Sequence, residues 1–429
     1  VSAADAVGSV APVPDLVGKR VVRIASGMFH CTAITAQGEL YSWGAGAGGQ
    51  LGHGDDCGST RPLLVRALRT HRRRAITAAG GRAHTLALTT DGTLLAWGRA
   101  AHGQLGLAVG AGSIADALEP RPVRAIPGPH MMRQLAAGEA HSIALTADGV
   151  LFAWGSAHGG RLGTQAAPKR PSVVGQPHGR VNVPVTEWSP TRVEVCAPAG
   201  PRCGLPVRIA LITVGWRHTM AVSTDGLLFT WGVNDAGQLG VGPVNKSGHS
   251  FRNVPTVVES LARERVVAIG AGAAHSLAAT LDGALFAWGA GGHRQLGLGN
   301  MRNHSVPTMV DAAPLFKCGP VRAISCGAAH TAVITAEGEL FMAGSDVYGQ
   351  LGRTVAIGAY ATTTQKEVNG SEQRAYVPVF TRVHLERILG DAQSKLGGGG
   401  GQRSWRVLQV ACGAWHCVAL VGAALPGAR

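Results

Sequence analysis

The sequence is poor in charged residues, and acidic side chains are the scarcest of them. Charged residues make up 15% of the 429 positions, and 25 Asp and Glu stand against 39 Lys and Arg. The acids show no paired-carboxylate pattern of the kind that general acid–base catalysis uses. The basic excess gives a formal net charge of +14. Such a charge favours an anionic partner or an anionic assembly.

Motifs for phosphate, metal and nucleophile chemistry are also missing. There is no Gly-x-x-x-x-Gly-Lys-Ser/Thr loop, no His-Glu-x-x-His and no Gly-x-Ser-x-Gly elbow. No Cys-x-x-Cys pair occurs, so the spacing of a zinc site is absent. We therefore predict no enzyme activity, no catalytic or metal-binding residues and no cofactor. We expect reduced thiols in a reducing compartment for Cys31, Cys57, Cys196, Cys203, Cys318, Cys326, Cys412 and Cys417.

Long apolar runs are absent as well. No stretch of about 18 uncharged apolar residues occurs, which excludes a predicted membrane-spanning helix. Hydrophobic residues still make up 45% of the chain, enough for a large core, so global disorder is excluded. The chain begins at Val1, and Val1–Gly18 has neither a basic region nor a leader-length apolar core. We expect a presequence already removed or a trimmed end.

Glycine is abundant, with 62 residues, and it belongs to an internal repeat. The pattern of Val22–Gly52 returns at Ala75–Gly106, Arg133–Gly163, Ile212–Gly240, Val267–Gly297 and Ala323–Gly352, and a seventh copy begins at Val407. Each copy has two short apolar runs separated by Asp-Gly or a similar pair, which is a hairpin signal. Trp-Gly and Gly-Gln-Leu-Gly follow, and a Pro-x-x-Val element precedes each copy. About four short strands per unit of this length predict a β-propeller blade.

One histidine and one tryptophan recur in most copies. We expect each histidine to bond backbone groups of its own turn rather than a metal, and each tryptophan to pack within the blades. The histidines are His30, His84, His141, His218, His275, His330 and His416, and the tryptophans are Trp43, Trp97, Trp154, Trp231 and Trp288.

The pattern V-x-x-I-x-x-G-x-x-H-x-x-A-[LI]-T-x-[DQE]-G-x-L-x-x-W-G, followed by G-Q-L-G, resembles the regulator of chromosome condensation repeat. The resemblance covers the chain from about Val10 to Leu420 and implies an all-β fold, a seven-bladed β-propeller. Because the last copy stops early, we predict a seventh blade closed by both chain ends. Val407–Leu420 supplies two strands and Val10–Val17 a third, leaving the blade one strand short unless Ala423–Pro426 pairs.

Two segments interrupt the repeats, at Thr164–Pro206 and Arg353–Ser404. We interpret both as insertions in a single propeller domain of residues 1–429. In the first, an extended arm is expected around Arg180–Val185 or Arg192–Val195. In the second, Val383–Leu389 could make one or two helical turns.

A basic stretch lies between the first and second copies, in Arg61–Arg74. It contains no acid, and we place it on a loop at one rim of the propeller. We predict contact with RNA or DNA phosphates, or with an acidic protein. A solubilising loop in an arginine-rich composition is the alternative. The candidate contact residues are Arg61, Arg66, Arg69, Arg72, Arg73 and Arg74.

Three functions compete. The first is a non-enzymatic scaffold, monomeric within a large RNA-containing complex such as a mitochondrial ribosome or its assembly machinery, without membrane insertion. The resemblance implies a second, guanine-nucleotide exchange on a small GTPase in the nucleus or cytoplasm. No residue of the repeat carries that activity, so none can be assigned to it. A ciliary or cytoskeletal scaffold is the third, because acidic tubulin would also suit the charge.

Overall fold

The computed structural model describes residues 12–107, 115–124, 130–164, 186–198, 203–244, 250–311, 317–352, 376–384 and 405–423, together with positions 126, 128 and 315. Most regular structure in these ranges is β-strand. Their helices are short: α1 spans Arg66–Thr70, and 3-10 turns span Pro14–Leu16, His158–Gly160 and Glu259–Leu261. None of the helices in the described ranges is long and apolar enough to cross a membrane.

Six antiparallel four-stranded sheets follow one another along the chain, and we call them blades 1 to 6. Blade 1 contains β1 (Val21–Ser26), β2 (His30–Thr35), β3 (Leu40–Gly44) and β4 (Ser59–Leu64). Blade 2 contains β5 (Ala75–Gly80), β6 (His84–Thr89), β7 (Leu94–Gly98) and β8 (Ala117–Pro122). Blade 3 contains β9 (Met132–Ala137), β10 (His141–Thr146), β11 (Leu151–Ser156) and β12 (Thr186–Val193). Blade 4 contains β13 (Ile209–Val214), β14 (His218–Ser223), β15 (Leu228–Val233) and β16 (Phe251–Val257). Blade 5 contains β17 (Val266–Ala271), β18 (His275–Thr280), β19 (Leu285–Gly289) and β20 (His304–Met309). Blade 6 contains β21 (Val321–Cys326), β22 (His330–Thr335), β23 (Leu340–Ser345) and β24 (Tyr376–Arg382).

The second strand of each blade is buried along its whole length. All six positions of β6, for example, are buried, from His84 to Thr89. A strand covered on both faces needs apolar or small residues at every position rather than an alternating pattern. The four tryptophans Trp97, Trp154, Trp231 and Trp288 are fully buried beside these strands. The core therefore lies between neighbouring blades, and the expected packing role of these tryptophans is confirmed.

Two blades take their outer strand from segments that the sequence analysis treats as insertions. The strand β12 lies within 164–206, and β24 lies within 353–404. Of the two proposed arms, Arg180–Val185 lies outside the described residues, and Arg192–Val195 begins as the end of β12. The helical prediction for Val383–Leu389 falls mainly outside them.

Within the described residues, the seventh sheet consists of two strands, β25 (Trp405–Cys412) and β26 (Cys417–Ala423). Ala423 pairs with Trp405 and so extends the hairpin, without adding a third strand. The described part of the predicted N-terminal strand, residues 12–17, does not pair with it. Pro14–Leu16 forms a 3-10 turn instead, because proline lacks the amide hydrogen that a strand needs and suits a first helical position. The prediction of an N-terminal strand is wrong for these residues.

The N-terminal turn nevertheless lies at the closure. Leu16 packs against the cluster that joins β1 and β2 to the seventh sheet through Ile24, Ala33 and Ala411. The β-propeller prediction is confirmed, as a ring of six complete blades and one two-stranded sheet. In the described residues, the strands of the seventh sheet come from the C-terminal part of the chain.

A circle of seven backbone hydrogen bonds runs around the mouth of the central channel. Each sheet contributes the turn between its first and second strands. In each bond an N–H group donates to a carbonyl of a neighbouring sheet at 2.8–3.2 Å. The donor and acceptor residues are Met28 to Gly81, Arg82 to Gly138, Glu139 to Trp216, Trp216 to Gly272, Ala273 to Gly327, Ala328 to Ala414 and Ala414 to Met28. Ala414 of the seventh sheet accepts from one neighbour and donates to the other. The two-stranded sheet thus closes the ring as fully as the complete blades do.

Neighbouring blades are also joined by a buried side-chain relay. The Thr85 hydroxyl of blade 2 donates to the Gln50 carbonyl of blade 1 at 2.8 Å, and the Trp97 indole N–H donates to the same oxygen at 2.9 Å. Because the Thr85 proton is used there, its oxygen accepts from Nε2 of His30, 2.8 Å away. The repeat histidine therefore bonds the next blade, and the prediction that it bonds its own turn is wrong.

The relay recurs around the ring with Ser or Thr in the hydroxyl position. His84, His218 and His275 reach the next blade at 2.9–3.0 Å and His141 at 3.4 Å, through Ser142, Ser276, Thr331 and Thr219. Each hydroxyl donates to the carbonyl of Gln104, Arg161, Gln238 or Gln295. In blade 3 the motif reads Gly160-Arg-Leu-Gly163, and Arg161 still supplies the acceptor, because the acceptor is a backbone carbonyl.

We expect Thr85→Val to destabilise the protein by about 1–3 kcal/mol. The change keeps the shape of the side chain but leaves the buried His30 Nε2–H without an acceptor. Thr85→Ser is the matched control, because serine occupies this position at Ser142 and Ser276. Equilibrium urea unfolding measures both. Equal midpoints for Thr85→Val and wild type would show that the relay contributes no stability.

The second prediction concerns acid. Burial lowers the pKa of the relay histidines, to about 3 for His30, His84, His218 and His275, to about 4 for His416, and well below 6.5 for His141. The unfolded chain therefore binds more protons than the folded one below about pH 6.5. Stability is complete above that pH and falls as the pH decreases, by about 1.4 kcal/mol per pH unit for each histidine.

We expect His84→Gln to reduce the slope of unfolding free energy against pH by about one proton between pH 6 and pH 4.5. Urea unfolding in a pH series gives this slope. The exposed His71→Gln is the control and should leave the slope unchanged. An unaltered slope for His84→Gln would mean that this histidine titrates equally in both states.

Candidate interaction surface

The arginine segment, residues 61–74, lies on three successive elements rather than on one loop. Arg61 lies on β4, Arg66 and Arg69 on α1, and residues 72–74 form the turn that leads to β5. The prediction of a single rim loop is wrong in this respect. Strand pairing reaches Leu64, opposite Tyr41, which explains why the segment begins as structure.

Two buried side chains fix the segment to the body of the propeller. Val65 and Leu68 are both buried and belong to the core cluster of blades 1 and 2. The Leu68 carbonyl accepts from the N–H of Arg73 at 2.8 Å, after Arg72 has taken a left-handed conformation with φ 54°. This turn reverses the chain over Leu68. The apolar pair therefore faces inward, while arginines lie on the exposed side.

The exposed side has few local counter-charges. Five of the six candidates are exposed: Arg61, Arg66, Arg69, Arg72 and Arg74. The sixth, Arg73, is half-buried. Within the described residues, the ion pair that this segment forms is Arg73 with Asp91, at 4.0 Å. A pair this long between solvent-accessible groups is worth little. The six candidates thus lie on one continuous stretch of the chain that is mainly exposed.

Arginine also recurs at the position that precedes the first strand of a blade. The carbonyls of Arg20, Arg74, Arg208 and Arg265 accept from the hairpin turn of their own blade at 2.8–2.9 Å. All four side chains are exposed on the face formed by these turns. Three of them, Arg20, Arg208 and Arg265, lie outside the predicted contact residues, although aligning the copies of the repeat places them in one column with Arg74.

The same face carries carboxylates at the hairpin tips. Asp148 and Asp225 lie beside Arg208 and Arg265, since the Cα of each following glycine faces the respective arginine side chain. Charges of opposite sign therefore alternate in those blades. The arginine segment differs because it adds several arginines to the Arg74 position with one acid, Asp91, nearby. It is the local excess of positive charge on this face.

The central channel offers a different environment. Its cavity of about 310 Å³ is lined by the first strands of all seven sheets, mostly with small and apolar residues. Its two glutamines bridge neighbouring sheets: Gln409 binds both backbone groups of Ile24, and Gln134 binds both of Ile212. In the described part of the chain, no three His, Cys, Asp or Glu residues are grouped as metal ligands.

Comparison with known proteins agrees with this architecture. The family model "Regulator of chromosome condensation (RCC1) repeat" matches residues 37–88, 91–145, 225–279 and 282–334, and a second model of that description matches residues 21–50, 75–104, 132–160, 209–238, 266–295 and 321–350. Prp20p from Saccharomyces cerevisiae, solved for its binding to Gsp1p and histones, superposes with a TM-score of 0.70. Its sequence is 20% identical, and the match covers 95% of this chain and 83% of Prp20p.

Two relatives in Arabidopsis thaliana are closer in sequence. The ultraviolet-B receptor UVR8 is 34% identical over 336 residues, which are 78% of this chain and 67% of UVR8. The mitochondrial RCC1 domain-containing protein RUG3 is 35% identical over 332 residues, 77% of this chain and 66% of RUG3. These likenesses support a scaffold or interaction role. With the repeat matched in six copies and the relay built from its signature residues, the chain belongs to the regulator of chromosome condensation (RCC1) repeat family.

Proposed function

We propose that the protein is a non-enzymatic propeller scaffold that docks through its arginine segment onto an RNA-containing assembly, with a mitochondrial ribosome or its assembly machinery as the foremost case. The observation that carries the proposal is the exposed cluster of arginines with a single long ion pair among the described residues. Uncompensated guanidinium groups on a surface bind phosphates strongly, often through two parallel hydrogen bonds.

The manner of presentation supports a backbone contact. Arg61, Arg66 and Arg69 lie on regular structure, and buried Val65 and Leu68 anchor that structure. The guanidinium groups are therefore held on a fixed frame, which lowers the entropy cost of binding. Contacts of this kind recognise phosphates and not base sequence. The net charge of +14 would add long-range attraction during association.

The compartment is the finer part of the proposal. Its support is the mitochondrial relative RUG3, which is 35% identical over most of this chain. A mitochondrial RNA-containing assembly would provide the dense phosphate surface that the arginine segment suits. An acidic protein is the other anionic surface, and exposed Leu63 within the segment and Ile76 beside it would suit it. The experiment below separates the two.

We expect the triple variant Arg66→Ala, Arg69→Ala, Arg74→Ala to weaken binding to a fluorescent polyuridine probe. Each lost phosphate contact should reduce the slope of log affinity against log salt by about 0.7, so three contacts reduce it by about 2. Fluorescence anisotropy in a salt series measures the slope. Each exposed substitution should alter stability by no more than about 0.5 kcal/mol.

The matched control removes the same charge elsewhere, with Arg252→Ala, Arg263→Ala and Arg302→Ala, all exposed in blades 4 and 5. An equal loss in both variants would show that only net charge matters, and would contradict a role for the arginine segment. In native extract, ribonuclease should release the wild-type protein from its assembly. Retention after ribonuclease, with release of the triple variant, would indicate an acidic protein instead of RNA.

A further inference from the structure

The seventh sheet has an unusual pair of residues at a position shared by all seven sheets. There, the last residue of the first strand lies directly opposite the residue that follows the repeat histidine. In blade 2 the pair is Gly80 with Thr85, and in blade 4 it is Val214 with Thr219. In the seventh sheet the pair is Cys412 with Cys417.

The two thiols are already in contact. Their sulfur atoms are 3.7 Å apart, both side chains are half-buried, and both thiols are free. Directly opposed residues of antiparallel strands have Cα atoms about 4.5–5.5 Å apart. This separation lies within the range of about 4.4–6.8 Å that a disulfide spans. Side-chain rotation could therefore bring the sulfurs to bonding distance without moving the strands apart.

The surroundings make the two thiols unequal. The contact between the two sulfurs, with His330 nearby, lowers the pKa of the Cys412 thiol well below its usual range. The same contact raises the pKa of Cys417. Cys412 is thus the better nucleophile of the pair, since the thiolate is the reactive form.

We propose that Cys412 and Cys417 are a modification site that is oxidised reversibly to one disulfide bond. A low-molecular-weight disulfide of the glutathione class is the oxidant. The Cys412 thiolate attacks one sulfur of that disulfide, forms a mixed disulfide and expels one thiolate. Cys417, after losing its proton, attacks the Cys412 sulfur and expels the second thiolate. The two cysteines lose two electrons, and the oxidant becomes two thiols that take up the two protons.

The site lies in the sheet that closes the ring. Cys417 stands where blades 2 to 6 place the hydroxyl that receives the histidine of the preceding blade. The four-residue turn between the cysteines includes Ala414, which closes the backbone circle to both neighbours. A disulfide would clamp the base of this turn. Oxidation would thereby stiffen the one sheet that has two strands instead of four.

The test uses the purified full chain treated with oxidised glutathione, followed by alkylation in denaturant and mass spectrometry of tryptic peptides. Both cysteines lie in one peptide, because no Lys or Arg occurs between Arg406 and Arg429. We expect that peptide to lose two hydrogens and resist alkylation, and dithiothreitol should restore it. Hydrogen exchange at Gly413 and Ala414 should slow by about tenfold in the oxidised protein.

Two variants serve as controls. Cys417→Ser should fold, since serine occupies this position in blades 3 and 5, and should leave Cys412 able to form only a mixed disulfide. Cys326→Ser removes a neighbouring thiol and should leave the reaction unchanged. An unoxidised peptide under conditions that modify the exposed Cys57 and Cys203 would overturn the proposal. A cross-link between the Cys412 peptide and the Cys326 peptide would overturn it too.

Discussion

The propeller depends on one backbone oxygen in each of blades 1 to 4, the carbonyl of the residue that follows the first glycine of Gly-Gln-Leu-Gly. It accepts two hydrogen bonds from the next blade, as the Gln50 carbonyl does from Thr85 and Trp97. These donors are fully buried, so leaving either without an acceptor would cost free energy. Gln50 also holds its own turn, because its side-chain oxygen accepts from Gly48 N–H. The glutamine side chain thus fixes the position of the acceptor carbonyl, to which the hydroxyl and the indole N–H of the next blade donate.

This dependence explains why four residue types recur together in the sequence. The histidine is useful only if a hydroxyl of the next blade accepts its proton, and the hydroxyl is free to accept only if its own proton goes to the carbonyl. Glycine completes the set, since a Cβ at Gly81 would overlap the His84 ring. Removing one member leaves the others with unmatched polar atoms in a core that excludes water. The repeat is therefore conserved within this chain as a unit of contacts between blades.

Hairpins and propeller class could be predicted from sequence because their signals are local. Asp91-Gly92 between two apolar runs predicts the turn from β6 to β7 without reference to the rest of the chain. The partner of His30 could not be predicted in this way, since Thr85 lies 55 residues further on. The outer strands β12 and β24 could not be predicted for a related reason, because each is preceded by a long segment whose composition differs from that of the repeat. In the arginine segment, charge drew attention to the surface, whereas Val65 and Leu68 decided its structure.

Because the repeated side chains are used in holding the blades together, they carry no information about a partner. That information must lie at positions that the relay leaves free: the exposed arginines before each first strand and the connections between blades. The connection from blade 1 to blade 2 is one such position, and it carries exposed arginines outside the buried apolar pair Val65 and Leu68. At the ring closure, sulfur replaces the relay hydroxyl at Cys31 and Cys417. Nε2 of His416 lies 3.1 Å from the Cys31 sulfur. A thiol is a weaker hydrogen-bonding group than a hydroxyl. The closing sheet is therefore held mainly by the backbone circle, by Gln409 and by the hydrogen bonds that Ser26, Arg322 and Ser325 make with its backbone.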